Sequence, residues 1–235
     1  MANYFGFSSD KIDIFFMLID SSSSMEYDEE NVRSGLKMYK KSFENFDEAG
    51  SIAVNVSKFN SDFYPGEFQP ITEFSTDYRT DGSTALYYSI VEGAELLQSY
   101  IQEVTEKKGV VPRATFILFS DGEPCCDPGT FREAKETITN LNYAGVNTVF
   151  IAFKEAINSD FGKRLGFMAT IDVTDRNALV NFLGVELSKS CKEQSKSLKS
   201  LGANFFSKAA GETVSEGYSQ ATAQALEDDS WIEDI

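Results

Sequence analysis

Apolar and polar positions alternate along this chain in two periods, and the periods lay out its elements. Ile14-Phe15-Phe16-Met17-Leu18-Ile19 is an unbroken apolar run that ends on Asp20. Such a run reads as a strand covered on both faces, as in a parallel sheet between helix layers. From Glu29 to Phe46, apolar residues fall at Val32, Leu36, Tyr39, Phe43 and Phe46, one stripe of a helix that Asp47-Glu48-Ala49-Gly50 closes with a glycine. Ser51 to Phe59 alternates and predicts a strand near or at an edge. Asn60 to Pro70 is rich in turn residues, and Gln69 to Phe74 predicts a short edge strand that tolerates Pro70.

The second half repeats the scheme. Leu86, Ile90, Leu97, Ile101 and Val104 line a second helix that stops at Gly109 and Pro112. Ala114 to Phe119 is a second buried strand, and it too runs into a carboxylate, Asp121. Phe131, Ala134, Ile138 and Leu141 mark a third helix closed by Gly145, and Val146 to Phe153 is another buried strand. A short helix over Phe161 to Leu165, a short strand over Met168 to Val173 and a last long helix over Asn177 to Ser190 follow. Strands that alternate with helices require crossover connections. The fold class is therefore α/β, an open, mostly parallel sheet flanked by helices on both faces. Residues 1–190 form the domain and 191–235 an acidic C-terminal extension, which carries seven acidic residues and no Lys or Arg from Ala209 onward.

Composition narrows the chemistry. The formal charge of −16 disfavours nucleic-acid phosphates and anionic membrane. The complete lack of histidine removes the Ser-His-Asp triad, the Cys-His pair and histidine-ligated zinc. Three cysteines, Cys125, Cys126 and Cys191, are too few for a disulfide framework, and low cysteine usage fits a reducing compartment. With no apolar leader or membrane span in the sequence, a cytoplasmic setting is expected.

Three loops hold the candidate chemistry. Asp20-Ser21-Ser22-Ser23-Ser24 follows the first buried strand, Asp81-Gly82-Ser83-Thr84 opens the second helix, and Ser120-Asp121-Gly122-Glu123-Pro124 ends the second buried strand. In a parallel sheet these places share one edge, where ligands bind. Asp20, Ser22, Ser24, Thr84 and Asp121 offer only oxygen, which suits a small hard divalent cation. Strand-end Asp and Ser also cap turns and helices, and that reading stands beside the metal.

These three motifs, in this order, resemble the metal-ion-dependent adhesion site (MIDAS) of a von Willebrand factor A (VWA) domain, a Rossmann-like fold. The resemblance spans about residues 11–190. The Asp-Gly-Glu-Pro form is similar to that of the bacterial intracellular branch that includes TerY-like proteins of stress systems. By that resemblance Ser22, Ser24 and Thr84 are metal-contacting hydroxyls, and Asp20 and Asp121 hold coordinated waters or the ion itself. It implies magnesium, or manganese or calcium in its place, and a partner protein that supplies an Asp or Glu to the metal. Asp81 stands where many relatives have glycine and is expected to add a carboxylate near the site.

The acidic terminus could serve the same metal site, in cis or by self-association, or be a solubilising tail. Cys125-Cys126 reads as a plain loop pair with a redox or metal role as the alternative. Tyr87 and Tyr88 either frame the binding face or pack inward. An interaction module in a bacterial stress, defence or signalling complex is therefore expected, not an enzyme. The rivals are a magnesium-dependent phosphoryl-transfer enzyme and a metal-independent scaffold. Against the first, Ser22 stands where an aspartyl phosphotransferase needs its second Asp, and no P-loop is present.

Overall fold

A computed structural model describes residues 4–153, 159–173 and 176–197. The acidic segment from Ala203 lies outside them. The central sheet has seven strands: β1 (Asp13–Asp20), β2 (Ile52–Phe59), β3 (Phe63–Tyr64), β4 (Gln69–Pro70), β5 (Arg113–Ser120), β6 (Asn147–Phe153) and β7 (Ala169–Val173). The spatial order is β3-β2-β1-β5-β6-β7, with β4 also on β2. β2, β1, β5, β6 and β7 are parallel, and only the two-residue strands β3 and β4 run antiparallel. The expected open, mostly parallel α/β sheet is present.

The continuous apolar run of β1 divides between two cores, because successive side chains leave opposite faces of a strand. Phe15, Met17 and Ile19 join one core with Val32, Leu36 and Tyr39 of helix α1 (Glu29–Ser42). Ile14, Phe16 and Leu18 join the other with α2 (Leu86–Lys108) and α3 (Phe131–Tyr143). Phe16 is fully buried, stacked on Phe116 at 5.3 Å between ring centroids. Helix α1 therefore covers one face and α2 the other, and the crossovers diverge at β1. That divergence makes the tip of β1 the topological switch point, where open α/β sheets place ligands.

Four local features depart from the sequence pattern. Helix α1 ends at Ser42, not Phe46, because Phe43, Glu44 and Phe46 each bond a carbonyl three residues back. Those tight turns set Phe46 edge-on to Phe43 and lead the chain to β2; Gly50 sits in a separate turn, Ala49–Ser51, and does not cap the helix. The edge strand expected over Gln69 to Phe74 is only Gln69–Pro70, since Glu73 folds back to the Pro70 carbonyl and drops Ile71 and Phe74 into the core. On α2 the inward position near the C-terminal end is Tyr100, with Ile101 only half-buried. Gly109 and Gly145 do end their helices, both with positive φ (69° and 80°).

The short helix α4 (Ser159–Leu165) matches expectation and precedes β7. The last helix is interrupted. Helix α5 (Arg176–Asn181) passes through a π-turn, Phe182–Glu186, into α6 (Leu187–Lys196), so it runs on past Ser190. Cys191, Gln194 and Ser195 are buried there. Ser195 donates to Asp13, which also pairs with Arg113 at 2.6 Å, while Gln194 bonds Thr115. These contacts tie α6 to the edge of the sheet opposite the candidate loops.

Replacing Phe16 by alanine removes a ring that both β5 and α2 pack against, and Gly93 leaves that ring its space. The expected loss is about 3–5 kcal/mol in urea unfolding.

Candidate metal centre

β1 and β5 are neighbours with Ile19 paired to Phe119, so Asp20 and Ser120 end side by side. The Ser120 hydroxyl donates to Asp20 Oδ2 at 2.5 Å. The Ser22 backbone N–H donates to Asp20 Oδ1 at 2.9 Å, and the Tyr78 hydroxyl donates to the Asp20 carbonyl. Asp20 is thereby fully buried with both carboxylate oxygens held. The loop after β1 is anchored further by Ser21, whose hydroxyl donates to the Phe59 carbonyl of β2.

The hydroxyls form a chain across the strand ends. Ser22 and Ser24 Oγ atoms lie 2.9 Å apart, and Ser24 Oγ donates to Asp121 Oδ1 at 2.6 Å. The Thr84 loop is brought in by main-chain bonds. Asp81 N–H donates to the Ser21 carbonyl at 2.8 Å, Ser23 N–H to the Gly82 carbonyl at 3.1 Å, and Thr84 and Cys125 form a two-bond bridge. A Cβ built on Gly122 would stand 3.6 Å from Ser24 Oγ and 3.9 Å from Thr84 Oγ1. Glycine therefore leaves room directly beside both hydroxyls. All five residues singled out in the sequence converge on this one place.

The donor set fits a hard cation. Two carboxylates and three hydroxyls surround a space that glycine keeps open, and every donor is oxygen. Among the described residues no three His, Cys, Asp or Glu side chains gather as a metal cluster, so an ion here would rely on hydroxyls for half its ligands. Burial pushes the Asp20 carboxyl up to about 6 against the opposing effect of Ser120 and Ser22, and the charge of Asp121 raises it further. An ionised pair of buried carboxylates is costly unless something positive compensates it.

Several supporting residues gave no signal in the sequence pattern. Ser120 and Tyr78 act on Asp20 only through three-dimensional contacts, although Ser120 stood inside a singled-out loop. Tyr27, in the turn Ser23–Asp28 beyond the serines, is 80% exposed. The Asp81 carboxylate accepts from Gly82 N–H within its own exposed turn. Tyr87 packs at right angles on Phe131, and the Tyr87 and Tyr88 N–H groups bond the Asp127 carboxylate that starts α2. Cys125 and Cys126 are exposed with Sγ atoms 3.6 Å apart, and Cys126 takes a positive φ of 58°. Cys191 is buried under Tyr39, and burial pushes its thiol far above the usual range, so it is unreactive.

No protein-family model and no curated protein matches the sequence. Solved structures do match in fold. The pilus adhesin SpaC from Lactobacillus rhamnosus GG superposes with a TM-score of 0.62 at 14% identity, over 80% of this chain and 31% of SpaC. A single-site mutant of the PilB minor pilin from Streptococcus sanguinis gives 0.58 at 13% identity, over 80% of this chain and 63% of that one. Proximal thread matrix protein 1 from the mussel byssus, with its MIDAS motif occupied by zinc, gives 0.55 at 17% identity, over 76% of this chain and 48% of that one. This chain thus spans less than two thirds of each. The likeness is one of fold, an open, mostly parallel Rossmann-like α/β sheet.

Two outcomes follow from the geometry. Without divalent cation, Asp20 binds a proton more tightly folded than unfolded, so its contribution to stability falls as pH rises from about 4 through about 6. Asp20→Asn removes that penalty: its Oδ1 can still accept from Ser22 N–H, and its amide N–H can donate to the Ser120 hydroxyl, which then turns to accept. Its melting temperature in EDTA should exceed that of the parent at neutral pH, while the rise produced by magnesium or manganese disappears. Because the Thr84–Cys125 bridge is main-chain, the double variant Cys125→Ser, Cys126→Ser should leave the cation-induced rise unchanged in the same thermal scans.

Proposed function

We propose that this chain is a VWA-type interaction module that binds an acidic side chain of a partner protein at a divalent-cation site formed by Asp20, Ser22, Ser24, Thr84 and Asp121. The observation that carries this reading is the unbroken contact path Ser22–Ser24–Asp121 beside the fully held Asp20 carboxylate and the open space at Gly122. The mussel protein with zinc at its MIDAS motif supports it as a structure of the same fold. Magnesium is the cation proposed, with manganese or calcium as substitutes; coordinated largely by neutral hydroxyls, it would keep enough charge to attract an external carboxylate.

The chain's own residues then have separate tasks. Ser120 and the Ser22 N–H orient Asp20, Tyr78 holds the end of β1, and the Thr84–Cys125 bridge keeps the threonine loop against the Asp121 loop. Ser24 is exposed while Ser22 and Asp121 are buried, so the site opens on the Ser24 side. Tyr27, 80% exposed, lies three residues beyond Ser24 in the same short helical turn, and aromatic residues of this kind are enriched in protein interfaces. A non-catalytic role is proposed because the chain has no histidine and Ser22 lacks the acid–base capacity of a second aspartate. Three free thiols agree with a reducing, cytoplasmic setting.

Immobilised protein should retain a short aspartate-containing peptide in magnesium or manganese and release it in EDTA. Asp121→Ala should weaken retention by about tenfold or more. Retention that survives both chelation and Asp121→Ala would instead identify a metal-independent scaffold. Turnover of an aryl phosphate in magnesium would favour the phosphoryl-transfer reading.

A further inference from the structure

Beside the metal loops lies a cleft of about 830 Å³ that gathers three basic side chains in a chain of net charge −16. The chain holds 37 acidic residues against 21 basic, yet the ten residues lining this cleft include Arg33, Lys58 and Arg79 against two carboxylates, Asp77 and Asp81. Arg33 is already committed: it pairs with Glu29 and Glu30 and donates to the Tyr78 carbonyl. The other two cations are not. Lys58 Nζ donates to the Asp77 carbonyl at 2.7 Å, is only half-buried, and has no ion pair among the described residues. Arg79 is exposed, with no hydrogen bond or ion pair among the described residues. The charge of Asp77 acts on Lys58, but neither Lys58 nor Arg79 is closed into an ion pair among the described residues, so both keep N–H donors for an external carboxylate.

The cleft and the metal centre share a wall. Ser21 and Asp81 line the cleft and are bonded to each other, and Ser21 lies between Asp20 and Ser22. Tyr78 lines the cleft and bonds the Asp20 carbonyl. Lys58 belongs to the C-terminal end of β2, paired with Ile19, one residue before Asp20. Tyr64, 48% exposed, adds an aromatic wall. A peptide that places one carboxylate at the metal loops therefore meets Lys58 and Arg79 a few residues along.

We propose that this cleft is a second recognition subsite, and that the partner segment carries two acidic side chains, one for the metal centre and one for Lys58 and Arg79. The proposal rests on the metal-dependent reading above and names the kind of partner it takes: an acidic, extended protein segment rather than one isolated carboxylate. It also explains how so acidic a protein admits an acidic guest. Lys58 and Arg79 supply a local attraction beside the metal centre that the overall charge of −16 does not.

The test compares capped peptides with one aspartate and with two aspartates separated by a graded series of glycine spacers, titrated in manganese by fluorescence anisotropy. The best two-aspartate peptide should bind roughly fivefold tighter than the single-aspartate one, a gain in the range of exposed ion pairs. Arg79→Glu should abolish that gain and leave the single-aspartate affinity and the manganese affinity unchanged. Arg79→Glu replaces an exposed, unpaired side chain, so folding should be unaffected. Lys58→Gln should lower the gain by a smaller factor. No gain at any spacing, or a gain that Arg79→Glu preserves, overturns the proposal. If manganese itself fails to bind, the metal reading falls separately. The cleft then stands only if the two-aspartate peptide still binds without metal in an Arg79-dependent way, and falls if it does not.

Discussion

Asp20 and Asp121 are held at neighbouring strand ends with hydroxyl groups between them and almost no water on Asp20. The charge of Asp121 raises the cost of ionising Asp20, and burial adds the larger share. The surrounding structure is arranged to sustain that cost. The apolar run of β1 buries the strand on both faces, the parallel pairing to β5 sets Ser120 against Asp20, and two further loops are bonded to the first by backbone groups. Strain of this kind persists only where the fold over-determines it. The two cores behind the strand provide that rigidity.

The elements that positioned these groups were readable from pattern. The apolar runs of β1, β5 and β6 marked the central sheet, the stripes of α1, α2 and α3 marked its covering, and the carboxylates at two strand ends marked the working edge. The five oxygen residues were found because parallel topology places strand tips together whatever their separation in sequence. Other features escaped because they depend on geometry that periodicity does not encode. The end of α1 was misplaced because Phe43 and Phe46 keep helical spacing while their backbone tightens into shorter turns. Asp81 stands beside the site through its backbone bond to Ser21, and its carboxylate accepts from the adjacent Gly82 N–H, a local contact that periodicity does not encode. The roles of Tyr78 and Ser120 rest on contacts across 58 and 100 residues.

The same fold occurs in a pilus adhesin, a minor pilin and a mussel thread matrix protein at identities below one fifth. Conservation of the sheet across such distances reflects the economy of the arrangement. One buried strand positions several loops, and only the loops decide what is bound. In this chain the individual features lie at the margins of that scheme: the cleft with Lys58 and Arg79 on the β2 side, the exposed Tyr27, and the helix that runs across to the opposite edge.

That helix has a mechanical consequence. The π-turn is seated on α1 through two glycines: a Cβ on Gly184 would lie 2.6 Å from Met38 Cβ, and one on Gly35 2.8 Å from Leu183 Cβ. Farther along, Gln194 and Ser195 are bonded to Thr115 and Asp13. A rod notched at one end and bolted at the other cannot slide lengthwise without undoing both fastenings. The last helix thus joins α1 to the rim of the sheet opposite the three loops, a brace between the two ends of the fold.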